Sequence, residues 1–163
     1  MKRNKSIGLS AAFSGHRTIS EAKAEELENK LIETIRNLYN QGYRTFYCGI
    51  AIGVGLMVAC CVVYVKQDYG LDIRFIACIP FIGQESLFSE EDKFRYNTLL
   101  QAADEKVVIA KQYSKYSYLR RNDYMLQHSS TLIAYHDPSL SKGGTAYTIR
   151  KAIEMKKDVV NLF

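Results

Sequence analysis

Arg44-Thr-Phe-Tyr-Cys-Gly-Ile-Ala-Ile-Gly-Val-Gly55 is the stretch of sequence that decides the fold. It opens with a short β-prone run, continues into a loop that contains Gly49, Gly53 and Gly55, and meets an apolar helical run over 56–59. This order places free backbone N–H groups at a helix N-terminus, where the helix dipole also favours an anion such as phosphate. The spacing Gly-x3-Gly-x-Gly is neither the dinucleotide fingerprint nor the Walker loop. Two interpretations are therefore open: a phosphate cradle, or glycines that let a helix pack close to a strand.

The bulk composition predicts one globular domain over residues 1–163. The hydrophobic fraction of 47% and the charged fraction of 24% are ordinary for a globular protein. A net charge of +5 and a pI near 9.0 suit an anionic partner, either a nucleotide or a nucleic acid, or simply give a basic solvated surface. No apolar run approaches the roughly 20 residues that span a bilayer. We therefore expect a cytoplasmic protein with no membrane partner.

The cysteines and histidines do not indicate a metal site. No two cysteines have the Cys-x-x-Cys spacing, and His128 and His136 have no third ligand at a suitable spacing. The four cysteines lie in apolar segments, where buried thiols in a reducing compartment are expected. They are Cys48, Cys60, Cys61 and Cys78.

Strands and helices are predicted to alternate along the whole chain. The predicted strands cover 7–14, 44–48, 72–79, 105–110, 131–135 and 158–162. The predicted helices run from a cap at Thr18 or Ser20 to Gly42, and then over 56–67, 89–103, 119–129 and 145–156. This pattern indicates an α/β fold, a Rossmann-like three-layer sandwich with a mainly parallel six-stranded sheet and helices on both faces.

The polar turns of this pattern all follow the carboxyl ends of strands, where open α/β sheets bind their ligands. They are 14–17, 48–55, 80–84, 111–118 and 136–145. We therefore expect the ligand-binding residues to come from these turns and to converge at one edge of the sheet.

Short motifs in these turns resemble one family. They are Phe13-Ser-Gly-His-Arg17, Gly49-Ile-Ala-Ile-Gly53, Ile79-Pro80 with Gln84, Arg121-Asn-Asp-Tyr-Met125 and Gly143-Gly-Thr145. Their order and spacing resemble the SLOG superfamily of Rossmann-like domains, in its YpsA-like branch. The resemblance covers nearly the whole chain. It implies a nucleotide, an ADP-ribose-type or NAD-type ligand, or single-stranded nucleic acid, and it makes a homodimer the expected assembly.

Three positions depart from the hydrolase members of that superfamily, which act on nucleoside monophosphates. The resemblance places acidic residues at three positions that Gly55, Cys60 and Thr148 occupy in this chain. A hydrolase of this kind needs a carboxylate to orient the sugar or to transfer a proton. We therefore predict no catalytic residue and expect a binding protein rather than an enzyme.

The predicted ligand-binding residues are Gly15, His16, Arg17, Gly49, Ala51, Gly53, Pro80, Arg121, Asn122, Gly143, Gly144 and Thr145. Backbone amides beside Gly144 and the Thr145 hydroxyl suit a phosphate, although Thr145 is also suited to be a helix cap. Arg17 suits a phosphate, or alternatively an ion pair with Glu21. His16 is either a ligand contact or a hydrogen-bonded structural histidine.

Two further features have alternative interpretations. Arg121 and Asn122 either reach a ribose or phosphate, or clamp their helix to the sheet through backbone carbonyls. The tyrosines among Lys111 and Lys115, at positions 113, 116 and 118, either stack on nucleic-acid bases or pack over the sheet edge.

The sequence thus predicts a sensor or regulatory module that binds a nucleotide-derived ligand. A nucleoside monophosphate phosphoribohydrolase and a single-stranded nucleic-acid-binding protein are the alternatives.

Overall fold

The computed structural model describes residues 8–163, and in that range one six-stranded parallel sheet forms the centre of the molecule. The strands are β1 (Ser10–Gly15), β2 (Thr45–Cys48), β3 (Arg74–Ile79), β4 (Glu105–Val108), β5 (Thr131–Tyr135) and β6 (Asp158–Asn161). The helices are α1 (Glu21–Asn40), α2 (Val54–Asp68), α3 (Glu90–Ala102), α4 (Ser117–Gln127) and α5 (Gly144–Glu154). The predicted Rossmann-like α/β fold is confirmed, and every strand pair is parallel.

The strand order β4-β3-β2-β1-β5-β6 creates a switch point between β1 and β5. The chain moves outward through β2, β3 and β4, then returns to the other side of β1 for β5 and β6. The register pairs Phe13 with Ile133 across this point and Ala11 with Phe46 on the other side of β1. Connections that leave β1 and β5 in opposite directions open a crevice at their carboxyl ends.

Two hydrophobic cores cover the two faces of the sheet. Ala11 and Phe13 of β1 pack with α1, α2 and α3, whereas Ala12 between them packs with α4 and α5. This alternation is the period of two that a strand imposes on its side chains. The larger core includes Phe46 and Phe75, both fully buried, so the α1–α3 layer contributes most of the apolar burial.

The helices begin in two different ways. The Ser89 side chain accepts a hydrogen bond from the Asp92 N–H at 3.2 Å, which is the side-chain cap of α3. In contrast, α2 and α5 begin directly after Gly53 and Gly143, whose φ values are 80° and 106°. Glycine adopts this left-handed region without a steric cost. Both glycine starts lie after strands β2 and β5, at the carboxyl edge of the sheet.

Three details differ from the sequence predictions. Residues 81–88, predicted as a loop, contain a short 3-10 helix over Gln84–Leu87, which begins after Gly83 at a φ of 90°. The prediction that all four thiols are buried is wrong for Cys60, because this residue faces outward from α2 while Cys61 faces α1. Strand β1 is described from Ser10, and the predicted start at residue 7 lies outside the described residues.

Gly53 is a point of close backbone contact between two turns. A Cβ atom at Gly53 would lie 2.1 Å from the backbone oxygen of Arg17, and its φ is +80°. The neighbouring N–H of Val54 donates to the backbone oxygen of His16 at 3.1 Å. The β1–α1 turn is therefore seated directly on the start of α2.

We expect Gly53→Ala to destabilise the protein by about 2 kcal/mol or more, since it combines a disfavoured φ with a backbone clash. Gly70→Ala is the matched control, because Gly70 also has a positive φ of +60° but a Cβ there meets nothing within 4 Å. Its expected cost is about 1 kcal/mol. Thermal unfolding measures both, at roughly 2–4 °C for each kcal/mol. Equal losses for the two variants would contradict the close contact.

Candidate functional site

A cavity of about 320 Å³ opens at the switch point, between the carboxyl ends of β1, β2 and β5 and the start of α4. Its walls come from three turns and from helices α2 and α4, which are far apart in the sequence. Ten of the twelve predicted binding residues line it: Gly15, His16, Arg17, Gly49, Ala51, Arg121, Asn122, Gly143, Gly144 and Thr145. Their part in binding a ligand stays a prediction, but the structure brings them together.

The other two predicted residues lie elsewhere. Gly53 lines a neighbouring groove between α1, α2 and α3 rather than this cavity. Pro80 is buried just after β3, two strands away from the switch point, and does not line the cavity. A position just after a strand therefore does not by itself place a residue in the cavity, because among the strands only β1, β2 and β5 border the crevice.

Gly49 positions two buried side chains through its carbonyl group. Its oxygen accepts hydrogen bonds from Arg121 Nη1 at 2.8 Å and from Gln84 Nε2 at 3.2 Å. A Cβ on Gly49 would lie 2.5 Å from Arg121 Nη1. The absence of a side chain here makes room for the guanidinium group, which is a packing role.

Arg121 is a buried cation without a carboxylate partner. Only 5% of the residue is exposed, and burial lowers the pKa of its guanidinium to about 10. Nε donates to Asn122 Oδ1 at 2.9 Å and Nη1 donates to Gly49, while Nη2 has no hydrogen-bond partner within residues 8–163. No ion pair with an acidic residue forms in the same part of the chain. Because Arg121 lines the cavity, its positive charge borders that space without an acidic counter-charge from the described residues.

A chain of hydrogen bonds continues from Arg121 to the first turn of α5. Asn122 Nδ2 donates to Thr148 Oγ1 at 3.0 Å, and Thr148 Oγ1 donates to the backbone oxygen of Gly144 at 2.7 Å. Asn122 and Thr148 are both buried, at 8% and 1% exposed. The predicted clamp of α4 to its surroundings is thus present, and it reaches α5 as well as the sheet.

The start of α5 has more backbone N–H groups without an acceptor than the start of α2. Among the described residues, the N–H groups of Gly144, Thr145 and Ala146 have no backbone acceptor. At α2, Val54 donates to His16 and Leu56 donates to Ala51 at 2.8 Å. A Cβ at Gly144 would meet nothing within 4 Å, so this turn borders open space. The amides of α5 therefore suit an anion better than the Gly49–Gly55 loop.

Two exposed cations complete the lining. The Arg17 guanidinium lies 4.5 Å from the centre of the Tyr118 ring, a cation–π contact, and forms no ion pair with Glu21 in the described chain. Lys142 lines the cavity beside Gly143 and was missed by the sequence analysis. The signal was available, because a lysine directly before a Gly-Gly turn at a helix start is well placed to meet an anion.

His16 has a structural hydrogen bond as well as a place in the wall. Its Nε2 accepts from the backbone N–H of Asp137 at 2.9 Å, and its ring lies 5.5 Å from that of His136. Burial and the nearby His136 lower the pKa of His16, while Asp137 raises it. A neutral ring with the proton on Nδ1 satisfies this bond, so His16 adds no charge to the cavity at neutral pH.

The three departures from the hydrolase pattern occupy different environments. Gly55 lines the cavity, Thr148 belongs to the hydrogen-bond chain, and Cys60 lines the groove between α1, α2 and α3. Among the lining residues that the structure describes, none is an aspartate or glutamate.

No group of three or more potential metal ligands occurs in residues 8–163. In the same range, no helix is both long enough and apolar enough to cross a bilayer.

Comparison with known proteins assigns the family. A family model for YpsA, described as the YspA SLOG family, matches residues 15–161. The chain belongs to this SLOG family. It is 29% identical over 134 residues to the uncharacterised SPbeta prophage-derived protein YoqJ of Bacillus subtilis, covering 74% of this chain and 76% of YoqJ. It is 30% identical over 122 residues to the UPF0398 protein BH1768 of Halalkalibacterium halodurans, covering 74% of this chain and 64% of that protein.

Solved structures show the same fold with little sequence identity. DNA processing protein A from Helicobacter pylori, described for its single-stranded DNA binding mode, superposes with a TM-score of 0.65 at 17% identity. That match covers 98% of this SLOG chain and 68% of the other chain. The X-ray structure of TM1055 gives a TM-score of 0.59 at 16% identity, covering 93% and 72%. The predicted Rossmann-like fold is therefore shared with both structures, and the predicted SLOG family is confirmed by the family model.

Replacing Thr148 by valine is expected to cost about 1–3 kcal/mol, because it leaves the buried Asn122 amide group without the acceptor that Thr148 Oγ1 provides. Thr98→Val is the control. Thr98 also donates to the backbone oxygen four residues earlier, Phe94 O at 2.8 Å, but on the exposed face of α3. Its expected effect lies within about 0.5 kcal/mol. Urea unfolding distinguishes them, and a Thr148→Val variant as stable as Thr98→Val would show that the hydrogen-bond chain contributes nothing.

The pKa of His16, measured by NMR titration of the three histidine rings, is expected below the ordinary histidine value of 6.5. His136→Phe removes a neighbouring charge and should raise that pKa, whereas Asp137→Asn should lower it further. Since the unfolded chain takes up its proton first as the pH falls through 6.5, His16 makes the fold less stable below that pH. A pKa above 6.5 in the unmodified protein would contradict the geometry.

Proposed function

We propose that the cavity binds the phosphate of a nucleotide or nucleotide-derived ligand, of the ADP-ribose or NAD type, and that the protein acts as a sensor or regulatory module. The observation that carries the proposal is Arg121, a charged guanidinium that is 5% exposed and has no acidic partner in the described chain. A buried charge without a counter-charge is costly. An anionic ligand at the free Nη2 supplies that counter-charge.

The surrounding groups fit a phosphate in particular. A phosphate has several acceptor oxygens, and the cavity offers Arg121 Nη2, the free N–H groups at the start of α5, and the cations Arg17 and Lys142. The dipole of the 11-residue α5 adds a favourable field for negative charge. A volume of about 320 Å³ is at the small end of ligand cavities, which suits a phosphate with its sugar.

The comparisons support a ligand of this chemistry. DNA processing protein A, which shares the fold, is described as binding single-stranded DNA, and a DNA strand presents the same phosphate and sugar groups as a nucleotide. The resemblance to SLOG proteins implies nucleotide-derived ligands. We also propose a homodimer, and this part of the proposal rests on the family resemblance alone.

We propose that the protein binds its ligand without hydrolysing it. The phosphoribohydrolase alternative requires a carboxylate beside the sugar, and the described lining residues offer amides, cations and hydroxyl groups instead. Thr148, at the position where the hydrolases carry a glutamate, is occupied by its bonds to Asn122 and Gly144. The proposal assigns no metal ion to the site.

A thermal-shift panel of AMP, ADP-ribose, NAD and NADP tests the proposal. A ligand at about 100 times its dissociation constant stabilises a fold by roughly 2.7 kcal/mol, which raises the midpoint by several degrees. Arg17→Ala should weaken that ligand about tenfold or more, because it removes a charged group that pairs with the phosphate. Arg36→Ala is the control, since Arg36 also stacks on a tyrosine, at 4.2 Å from the Tyr69 ring, but lies in the second half of α1.

No stabilisation by any nucleotide at millimolar concentration would refute the proposed binding. If Arg17→Ala and Arg36→Ala weaken nucleotide binding equally, the ligand binds outside the cavity. Incubation of the bound nucleotide, followed by chromatography for free base, distinguishes a binding protein from a hydrolase. Gel filtration of the same sample tests the homodimer.

A further inference from the structure

A row of aromatic rings leads out of the cavity along the sheet edge. We call it the aromatic ledge: Phe81, Tyr113, Tyr116 and Tyr118. Tyr118 lines the cavity, whereas Tyr113 and Tyr116 lie outside it and are 64% and 51% exposed. Nothing in the cavity accounts for these two exposed rings.

Three rings of the ledge are joined by edge-to-face contacts, and the fourth, Tyr116, lies against Lys115 instead. Phe81 lies 5.7 Å from Tyr118 and 5.2 Å from Tyr113, centre to centre, with interplanar angles of 84° and 76°. Each step is longer than the roughly 3.4 Å between stacked bases of a nucleic-acid strand. Because Tyr113 meets Phe81 nearly at a right angle and is mostly exposed, it retains surface on which another flat ring can stack.

The backbone of the ledge is also ordered by hydrogen bonds. The N–H of Ser114 donates to Ser117 Oγ at 2.8 Å, and the N–H of Ser117 donates to the backbone oxygen of Ser114 at 3.1 Å. Ser117 is 1% exposed and begins α4. This turn holds Tyr113 and Tyr116 in place before a ligand arrives, which lowers the entropy cost of binding.

The stretch of chain that carries the three tyrosines has side-chain charges of one sign. Residues 106–122 contain five lysines and arginines and no aspartate or glutamate. Lys111 is exposed before Tyr113 and Lys115 is exposed between Tyr113 and Tyr116, and the Lys115 ammonium lies 5.0 Å from the centre of the Tyr116 ring. Aromatic rings that alternate with cations match a strand in which bases alternate with phosphates.

We infer that the aromatic ledge is a base-stacking surface for single-stranded nucleic acid, one phosphate of which occupies the cavity. The inference rests on the proposed phosphate site and extends it. A mononucleotide with its phosphate at Arg121 has one base, whereas a longer strand brings further bases that can reach Tyr113 or Tyr116. A duplex is excluded as the ligand of the ledge, because its base faces are covered by their own neighbours.

Fluorescence anisotropy with labelled oligothymidylate and oligouridylate of about 12 nucleotides tests this inference, with TMP as the mononucleotide probe. Both oligonucleotides should bind more tightly than TMP. The double variant Tyr113→Ala with Tyr116→Ala should weaken them about tenfold or more and leave TMP unchanged. Tyr113→Phe with Tyr116→Phe should keep the affinity, because the ring faces remain. Tyr64→Ala on α2, where 43% of the side chain is exposed, is the control.

Salt dependence gives a second readout. Lys111→Gln with Lys115→Gln should reduce the slope of log affinity against log salt by about 0.7 for each phosphate that is no longer neutralised. The base-stacking role of the ledge is refuted if the oligonucleotides bind no more tightly than TMP, or if the double alanine variant binds them as tightly as the unmodified protein. Either result leaves the proposed phosphate site intact. If TMP and the nucleotide panel also fail to bind, the proposed function itself is refuted. A preference for uridylate over thymidylate would identify RNA as the source of the strand.

Discussion

The hydrogen bond between Arg121 and the carbonyl group of Gly49 is the interaction on which the site depends. It joins α4, from one face of the sheet, to the loop that leads into α2 on the other face. The bond requires a glycine at position 49, since a Cβ would lie 2.5 Å from the guanidinium. Buried Gln84 strengthens the same junction from the β3–α3 connection. Separate segments of the chain therefore converge on one carbonyl oxygen and the cation beside it.

The same interaction explains why a buried charge persists without an acidic partner. Nε and Nη1 are satisfied by an amide and a carbonyl oxygen, which stabilise a cation without neutralising it. The pKa of about 10 keeps Arg121 charged at neutral pH despite its burial. The protein thus maintains a positive potential at the floor of the cavity, next to the positive end of α5. This positive charge is therefore held by the folded chain itself rather than by one flexible surface residue.

The fold followed from the sequence because its signals are local. The alternation of strands and helices, the glycines before α2 and α5, and the Ser89 cap are all determined by neighbouring residues. The site was predicted less completely, because its geometry depends on strand order. Pro80 follows a strand as His16 does, yet β3 lies two strands away from the switch point. The role of Gly53 depends on a backbone contact with Arg17. The exposure of Cys60 depends on how α2 is oriented about its own axis when it packs on the sheet. Neither relation is encoded in the spacing of residues along the chain.

The bonds of Thr148 have a consequence for how function can change in this family. The hydroxyl group accepts from Asn122 and donates to the Gly144 carbonyl, so it acts in both directions at once. An ionised carboxylate can only accept. A glutamate introduced at position 148 alone would keep an acceptor for Asn122, but it would place an ionised carboxylate at a position that is now 1% exposed, with the Asn122 amide as its donor. An acidic residue at this position therefore calls for paired substitutions, in which further donors to the buried carboxylate arise together with it.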